Sequence, residues 1–141
     1  MAKKRQPTDD VWNSMGLDRY LRPEVVIKRK ATRKMMEEAA PKLIDHVNTS
    51  DFPFWIIPEI KKLGINGCTI KDFGGAGLTV LETGSIAMEM AKVDGSISTF
   101  FLVHNAIGTA VIDALGDEEQ RKRFLTDSVN MDKICCFGLT E

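Results

Sequence analysis

The sequence has few of the residues that build metal sites and disulfide frameworks. Its 141 residues include three cysteines, Cys68, Cys135 and Cys136, and two histidines, His46 and His104. An odd number of cysteines, two of them adjacent, predicts free thiols in a reducing compartment, because neighbouring cysteines bridge only with strain. There is no Cys-x-x-Cys pair and the histidines lie far apart, so no metal site is predicted.

An excess of charge of one sign is also absent. The 19 Lys and Arg nearly balance the 20 Asp and Glu, giving a net charge of -1. This balance argues against a general nucleic-acid or anionic-membrane binder. The basic opening MAKKRQ is followed by Asp9 and Asp10 rather than by an apolar run. A secretory signal is therefore not predicted, a mitochondrial presequence is disfavoured, and residues 1–21 are interpreted as a polar tail.

Apolar residues at three- and four-residue spacing predict an all-α fold. A long amphipathic helix is expected from Arg22, with a kink or a break into two abutting helices at Pro41. Its predicted apolar stripe comprises Ile27, Ala31, Met35, Met36, Ala39, Ala40, Leu43, Ile44 and Val47. Pro58 fits the first position of a short helix that ends at Leu63, with Gly64 as its cap. The preceding aromatic residues Phe52, Phe54 and Trp55 are expected to pack against the long helix, with a membrane-surface role as the alternative.

The stretch KDFGGAGL, residues 71–78, contains four small residues in succession. It lacks the spacing of a nucleotide-binding loop, so a turn with positive φ is predicted instead. Thr79 and Glu82 then form a capping box for a helix that ends near Asp94 and Gly95. The inward face of that helix is predicted to hold Val80, Gly84, Ala87, Met88 and Ala91.

Residues 97–115 are the most apolar stretch and are expected to form the most buried helix rather than a membrane span, since they include His104, Asn105 and Asp113. A lone histidine in such a helix is typically a hydrogen-bonded core residue, and His104 is interpreted in this way. Gly116 ends the helix. Asp117 and Gln120 cap a further helix through residue 125, with Phe124 and Leu125 facing inward, and KICCFGL after it is predicted to be extended.

Five segments occur in a specific order: KDFGGAGL, AKVDGS, STFFLVHNAIG, LGDEEQRKRFL and CFGLTE. Together they resemble the N-terminal α-helical domain of the acyl-CoA dehydrogenase and acyl-CoA oxidase superfamily, over about residues 23–141. STFFLVHNAIG and DFPFWIIPEI look closest to the plant-type peroxisomal short-chain acyl-CoA oxidases, with glutaryl-CoA dehydrogenases next.

The resemblance implies an FAD-dependent enzyme that dehydrogenates acyl-CoA thioesters between Cα and Cβ. The catalytic Glu of that superfamily belongs to its C-terminal domain, so no catalytic residue is assigned here. Residues 22–134 correspond to the helical domain, and 135–141 to the start of a segment that passes along the flavin. The residues that the resemblance assigns to the cofactor are Phe137, Gly138, Leu139, Thr140 and Glu141.

The resemblance also places Ser98 and Thr99 at the end of the acyl pocket. Glutaryl-CoA dehydrogenases have an Arg at the position of Ser98, which pairs with the distal carboxylate of the substrate. A Ser cannot make that contact, so an unbranched monocarboxylic acyl-CoA is the expected substrate. The superfamily further implies a homo-oligomer, located in peroxisomes or, alternatively, in mitochondria.

The sequence closes on CCFGLTE, an apolar run without a polar tail. We expect the chain to be the front part of a longer flavoenzyme, without its middle and C-terminal domains and inactive alone. The alternative is a non-catalytic helical interaction module derived from such an enzyme.

Overall fold

The computed structural model describes residues 11–47 and 49–139. The described ranges are helical and contain no β-strand, which confirms the all-α prediction. The first ten residues of the expected tail, and Thr140 and Glu141, lie outside the described residues. The helices are α1 (Val11–Ser14), a 3₁₀ helix (Leu17–Tyr20), α2 (Pro23–His46), α3 (Ile56–Lys62), α4 (Val80–Ala91), α5 (Gly95–Leu102), a π-helical turn (Val103–Thr109), α6 (Ala110–Leu115) and α7 (Glu118–Val129).

Residues 11–21 belong to the folded domain rather than to a solvated tail. Trp12 and Leu21 are buried in the main core. The Trp12 indole N–H donates to Asp18 at 2.8 Å, and the guanidinium of Arg29 lies 5.4 Å from the Trp12 ring. An aromatic side chain with satisfied polar contacts thus anchors this segment on α2.

Helix α2 runs through Pro41 as one element, so of the two predicted alternatives, a kink or a break, the break into two abutting helices is wrong. Pro41 lies on the exposed side, where water can hydrate the carbonyl that loses its donor. The predicted apolar stripe is also partly wrong, because Ile27, Ile44 and Val47 are about two-thirds exposed. The buried face instead comprises Val25, Arg29, Thr32, Met36, Ala39 and Leu43.

Helix α4 packs against both α2 and α5. Its buried face holds polar residues, including Glu82, Thr83, Ser85 and Glu89, whereas the predicted inward residue Val80 is 82% exposed. The carboxylate of Glu89 is fully buried and is bound by Arg29, by Arg33 at 2.6 Å and by Lys92 at 3.2 Å. Burial of a carboxylate requires such partners, and α2 supplies two of them.

The capping box at the start of α4 is formed as predicted. Thr79 accepts from the Glu82 N–H at 3.2 Å, and the Glu82 carboxylate accepts from the Thr79 N–H at 2.8 Å. Arg22 adds a bidentate contact to Glu82 at 2.7 and 2.9 Å. These hydrogen bonds, with that to Arg22 the largest, lower the pKa of Glu82 to about 2.

The loop before α4 confirms the predicted positive-φ turn, with φ of 54° at Phe73, 80° at Gly74 and 56° at Gly77. The N–H groups of Gly75, Ala76 and Gly77 bond to carbonyl oxygens within residues 66–72. They are therefore already occupied, which agrees with a turn rather than a phosphate-binding loop.

The short helix α3 begins two residues before Pro58, so the predicted start is late, but Gly64 follows it with φ of 59° as expected. Of the aromatic residues before it, Phe54 is 71% exposed. Phe52 packs against Phe100 of α5, with ring centroids 4.7 Å apart. Trp55 packs against α2 as predicted, because its indole N–H donates to Nε2 of His46 at 3.1 Å and Lys42 lies 5.5 Å from its ring.

The apolar run Gly95–Leu115 is continuous through α5, the π-helical turn and α6. It is long and apolar enough to cross a membrane by length and composition, with a mean hydropathy of 1.4, and 39% of its most apolar window is buried in the fold. Its first half packs on α4, but α6 has no buried residue. The prediction that this is the most buried helix is wrong, because its second half faces outward.

Helix α7 has the predicted capping box between Asp117 and Gln120 and continues beyond the expected end to Val129. Leu125 is fully buried, as predicted. Phe124 is 42% exposed and lies at the surface beside α6 rather than in the core.

Candidate functional site

The segment after α7, residues 134–139, has neither helix nor strand. It lies against the π-helical turn, where the Cys135 N–H donates to Nδ1 of His104 at 3.1 Å. A Cβ placed on Gly108 would come within 2.4 Å of the Cys135 Cβ. The absence of a side chain at Gly108 therefore allows the segment to approach the helix this closely.

Beyond Cys135 the segment is open to solvent. Phe137 is 53% exposed and Leu139 is 80% exposed. No hydrogen bond joins residues 136–139 to any other described residue. The segment thus offers apolar side chains and unpaired backbone donors together, which is what a flat heteroaromatic ring with nitrogen and oxygen acceptors requires.

His104 is fully buried and uses both ring nitrogens. Nδ1 accepts from the Cys135 amide, and Nε2 lies 3.0 Å from the Ser128 carbonyl oxygen. Because the amide can only donate and the carbonyl can only accept, the ring is neutral and carries its proton on Nε2. Burial lowers the pKa of His104, opposed in part by the bond to Ser128. The interpretation of His104 as a hydrogen-bonded core residue is confirmed.

Asn105 is buried beside His104 and binds a different loop. Its Oδ1 accepts the Gly67 N–H at 2.8 Å, and its Nδ2 donates to the Phe101 carbonyl at 2.9 Å. The wider π-helical turn buries two consecutive polar side chains, each holding a different loop. The sequence analysis interpreted His104 as a core residue but did not predict that this pair binds two loops; the signal was a His-Asn dipeptide followed by Gly108 in an otherwise apolar run.

Ser98 and Thr99, the predicted pocket residues, differ in exposure. Ser98 is 5% exposed, and its hydroxyl donates to the Ala87 carbonyl of α4 at 2.9 Å. Thr99 is exposed, and its hydroxyl donates to the Gly95 carbonyl at 2.9 Å. Thr99 therefore presents its side chain outward, whereas Ser98 joins two helices.

An exposed apolar face extends from the π-helical turn along α6 to α7. We call it the α6 face; it comprises Ile107, Val111, Leu115 and Phe124, which are 39%, 44%, 82% and 42% exposed. A groove of about 350 Å³ runs between α6 and α7 within it. Exposed apolar residues that cluster in this way typically mark a contact surface.

A larger pocket, of about 580 Å³, lies between the C-terminal end of α2 and the start of α5. Its walls include Leu43, Phe52, Ile97 and Phe100, and none of the predicted site residues lines it. Across the described ranges, no group of three His, Cys, Asp or Glu side chains is placed to hold a metal ion.

Comparison with known proteins identifies the family of this chain. A model for the N-terminal domain of acyl-CoA dehydrogenases matches residues 23–132, from the start of α2 to just beyond α7. The chain belongs to the acyl-CoA dehydrogenase family. The resemblance recognised in the five ordered segments is thereby confirmed at the level of the superfamily.

Two curated relatives show how far the similarity extends. The mitochondrial isobutyryl-CoA dehydrogenase of Dictyostelium discoideum is 40% identical over 91 residues, which cover 64% of this chain and 22% of that protein. The short-chain specific acyl-CoA dehydrogenase of Clostridium acetobutylicum is 29% identical over 127 residues, covering 89% of this chain and 34% of that protein. This acyl-CoA dehydrogenase family chain thus spans about a fifth to a third of the length of these relatives.

The fold matches solved structures as well. The glutaryl-CoA dehydrogenase of Mycobacterium smegmatis superposes with a TM-score of 0.76 over 87% of this chain and 32% of that chain, at 22% identity. The relatives named here are dehydrogenases, and one of them is mitochondrial. The expected closeness to oxidases, and the peroxisomal location that it implies, receive no support from them.

Proposed function

We propose that this chain is the N-terminal helical domain of an FAD-dependent enzyme that dehydrogenates short-chain acyl-CoA thioesters. The observation that carries the proposal is the family match, which spans α2 to α7 and ends just before the segment 134–139. Dehydrogenase rather than oxidase activity is favoured by the names of the relatives. A mitochondrial rather than a peroxisomal location is favoured on the same ground.

The exposed segment fits the expected cofactor. Phe137 and Leu139 supply apolar contact area, and the backbone N–H groups of residues 136–139 supply donors for ring nitrogen and oxygen atoms. Bound at these residues, FAD would supply the hydride acceptor for the dehydrogenation. We assign Phe137, Gly138 and Leu139 to its binding. Thr140 and Glu141 are assigned to the same role from the resemblance alone.

The acyl pocket is proposed to end at Ser98 and Thr99. Both side chains are neutral, and Ser98 is held against α4 by its bond to Ala87. A second carboxylate on the substrate would find no cation from these two residues, and an unpaired buried carboxylate is costly. The expected substrate is therefore a short monocarboxylic acyl-CoA.

The α6 face is proposed to pack against other parts of the assembled enzyme, which is expected to be a homo-oligomer. Four neighbouring apolar side chains of this face are exposed, whereas charged side chains are buried between α2 and α4. Exposed apolar area of this kind supports a contact with another part of the enzyme. The relatives are three to five times as long as the matched regions, so they hold further surface for such a contact.

The proposal is tested by joining this chain, through residue 139, to the remaining two thirds of the Clostridium acetobutylicum relative. We expect the chimera to keep a flavin absorbance band after desalting and to bleach on addition of butyryl-CoA. Phe137→Ser with Leu139→Ser should lose flavin, whereas Ile27→Ser with Ile44→Ser, at exposed positions outside both the segment and the α6 face, should not. A folded, soluble chimera without flavin would contradict the proposal.

The substrate class is tested in the same chimera with butyryl-CoA and glutaryl-CoA. The unpaired carboxylate should lower kcat/KM for glutaryl-CoA on the order of a hundredfold or more. Ser98→Arg should shift the preference toward glutaryl-CoA. Because Ser98 is buried against α4, Thr99→Arg, at an exposed position on the same turn, is the second variant. Equal turnover of the two substrates by the unsubstituted chimera would refute the assignment of the pocket end.

A further inference from the structure

We propose that His104 is a positioning residue, which fixes the flavin-contacting segment to the π-helical turn through the hydrogen bond from the Cys135 N–H to its Nδ1. This inference rests on the proposed function for what the segment binds. The contact between His104 and Cys135 does not rest on the proposed function.

His104 joins three elements that are distant in the sequence. The ring projects from the π-helical turn, accepts from Cys135 at 3.1 Å and lies 3.0 Å from the Ser128 carbonyl near the end of α7. Directly beside this contact, Gly108 allows the Cys135 side chain to lie against the helix. Cys135, the residue directly before CFGLTE, is thereby held in place before the chain becomes exposed at Cys136.

The two hydrogen bonds of the ring have different roles. The Ser128 carbonyl already accepts from the Met131 N–H at 2.8 Å, so it does not depend on His104 for a partner. The Cys135 N–H has no other partner among the described residues. The bond to Ser128 thus keeps the ring proton on Nε2, and this leaves Nδ1 as the acceptor that Cys135 requires.

An imidazole suits this arrangement because its ring is rigid. A donor and an acceptor are held at a fixed separation within one fully buried side chain. Below its lowered pKa the ring would carry a proton on Nδ1 as well and could no longer accept from Cys135. The neutral ring is therefore the form that holds the segment.

The test uses a matched pair of variants in the 141-residue chain. In His104→Asn the side-chain oxygen can reach the position of Nδ1 and accept from Cys135, but the bond to Ser128 is lost. In His104→Gln the amide nitrogen can reach the position of Nε2 and donate to Ser128, but Cys135 loses its acceptor. Both variants remove one hydrogen bond, so a role in stability alone predicts similar effects.

Amide hydrogen exchange at Cys135 distinguishes the two roles. We expect exchange in His104→Asn to stay within about threefold of wild type, and exchange in His104→Gln to rise on the order of tenfold, as the loss of one hydrogen bond implies. Alkylation of the Cys135 thiol should follow the same order. Equal exchange in the two variants, or the reverse order, would overturn the proposal.

A measurement on the wild-type chain keeps the proposal testable if a variant does not fold. Nitrogen-15 NMR should show the His104 proton on Nε2 and a through-hydrogen-bond coupling between Nδ1 and the Cys135 amide. A proton on Nδ1 at neutral pH would overturn the assignment.

The link to the cofactor is measured separately in the chimera with the Clostridium acetobutylicum domains. His104→Gln should weaken flavin retention on the order of tenfold, and His104→Asn should not. Flavin retention unchanged in His104→Gln would overturn the positioning role toward the cofactor. A chimera that lacks flavin but keeps the Cys135 contact would instead overturn the proposed function and leave the contact of His104 with the segment intact.

Discussion

Burial in two regions of the molecule is opposite to what hydrophobicity predicts. These regions are the contact between α2 and α4, and the α6 face. Between α2 and α4, the charged residues Glu89 and Arg29 are buried and paired. On the α6 face, Val111 and Leu115 are apolar and exposed. The comparison shows that the partner of a side chain, rather than its polarity, decides whether burial is stabilising.

The largest expected effect is at Glu89. Glu89→Ala leaves the side chain of Arg29 buried without its main carboxylate, and removal of one member of a buried pair costs about 3–5 kcal/mol. We expect a loss of this size in the free energy of unfolding, measured by urea denaturation. The control is Glu118→Ala, which removes an exposed ion pair with Lys122 and should change stability by less than about 1 kcal/mol. Similar losses in both variants would contradict the account of the buried pair.

Two glycines sharpen the comparison at the level of the backbone. Gly108→Ala places a methyl group within 2.4 Å of the Cys135 Cβ, so it should displace residues 134–139 or cost about 1–3 kcal/mol. Gly84→Ala, in α4 with nothing within 4 Å, should stabilise the chain by up to about 1 kcal/mol. Denaturation and hydrogen exchange at Cys135 measure both effects. Retention of the native Cys135 contact in a fully stable Gly108→Ala would be inconsistent with the packing described.

Acid should lower the free energy of unfolding through Glu82, which links the start of α4 to Arg22 beside α2. Its pKa is about 2 in the folded chain, below its ordinary value of 4.5, so the carboxylate stabilises the fold above about pH 4.5 and this contribution is lost as the pH falls toward 2. We expect about 1–2 kcal/mol, since Arg22 is half exposed and screened by solvent. Denaturation between pH 5 and 2.5 measures it, with Glu82→Gln as the comparison. An equal pH dependence of both proteins in this range would rule Glu82 out as the cause.

The smallest expected effect is at the α6 face. Leu115→Ser should change the free energy of unfolding of this chain by less than about 0.5 kcal/mol, because the side chain is 82% exposed. Thermal denaturation of the wild-type chain and of Leu115→Ser, at matched concentration, measures the difference. A loss above about 2 kcal/mol would mean that Leu115 is covered in the isolated chain.

The sequence alone predicted where the helices begin and end better than it predicted which of their faces are buried. The capping boxes at Thr79 and Asp117 were predictable because each depends on two residues three positions apart. The inward faces of α2 and α4 were not, since Arg29 and Glu89 are buried by a contact between residues 60 positions apart, which local periodicity cannot show. Periodicity also treats every apolar face as core, so it placed α6 inside.

The candidate site was predictable only in part, for a similar reason. The assignment of Phe137, Gly138 and Leu139 came from resemblance and stays a prediction, and so does that of Ser98 and Thr99. His104 was correctly interpreted as a core residue, but its bond to Cys135 crosses 31 positions. No spacing rule connects a helix interior to a later loop, so its contact with the segment became visible only in the structure.

The central claim is that the contact between α2 and α4 is fully formed in this chain, whereas residues 134–139 and the α6 face become covered only in the assembled enzyme. Hydrogen exchange on the chain alone, and on its chimera with the Clostridium acetobutylicum domains, tests this most directly. We predict equal slow exchange in α2 and α4 in both proteins, and exchange at residues 136–139 and in α6 that is fast in the chain and slow in the flavin-containing chimera. A folded, flavin-containing chimera in which residues 136–139 and α6 exchange as fast as in the isolated chain would contradict the claim.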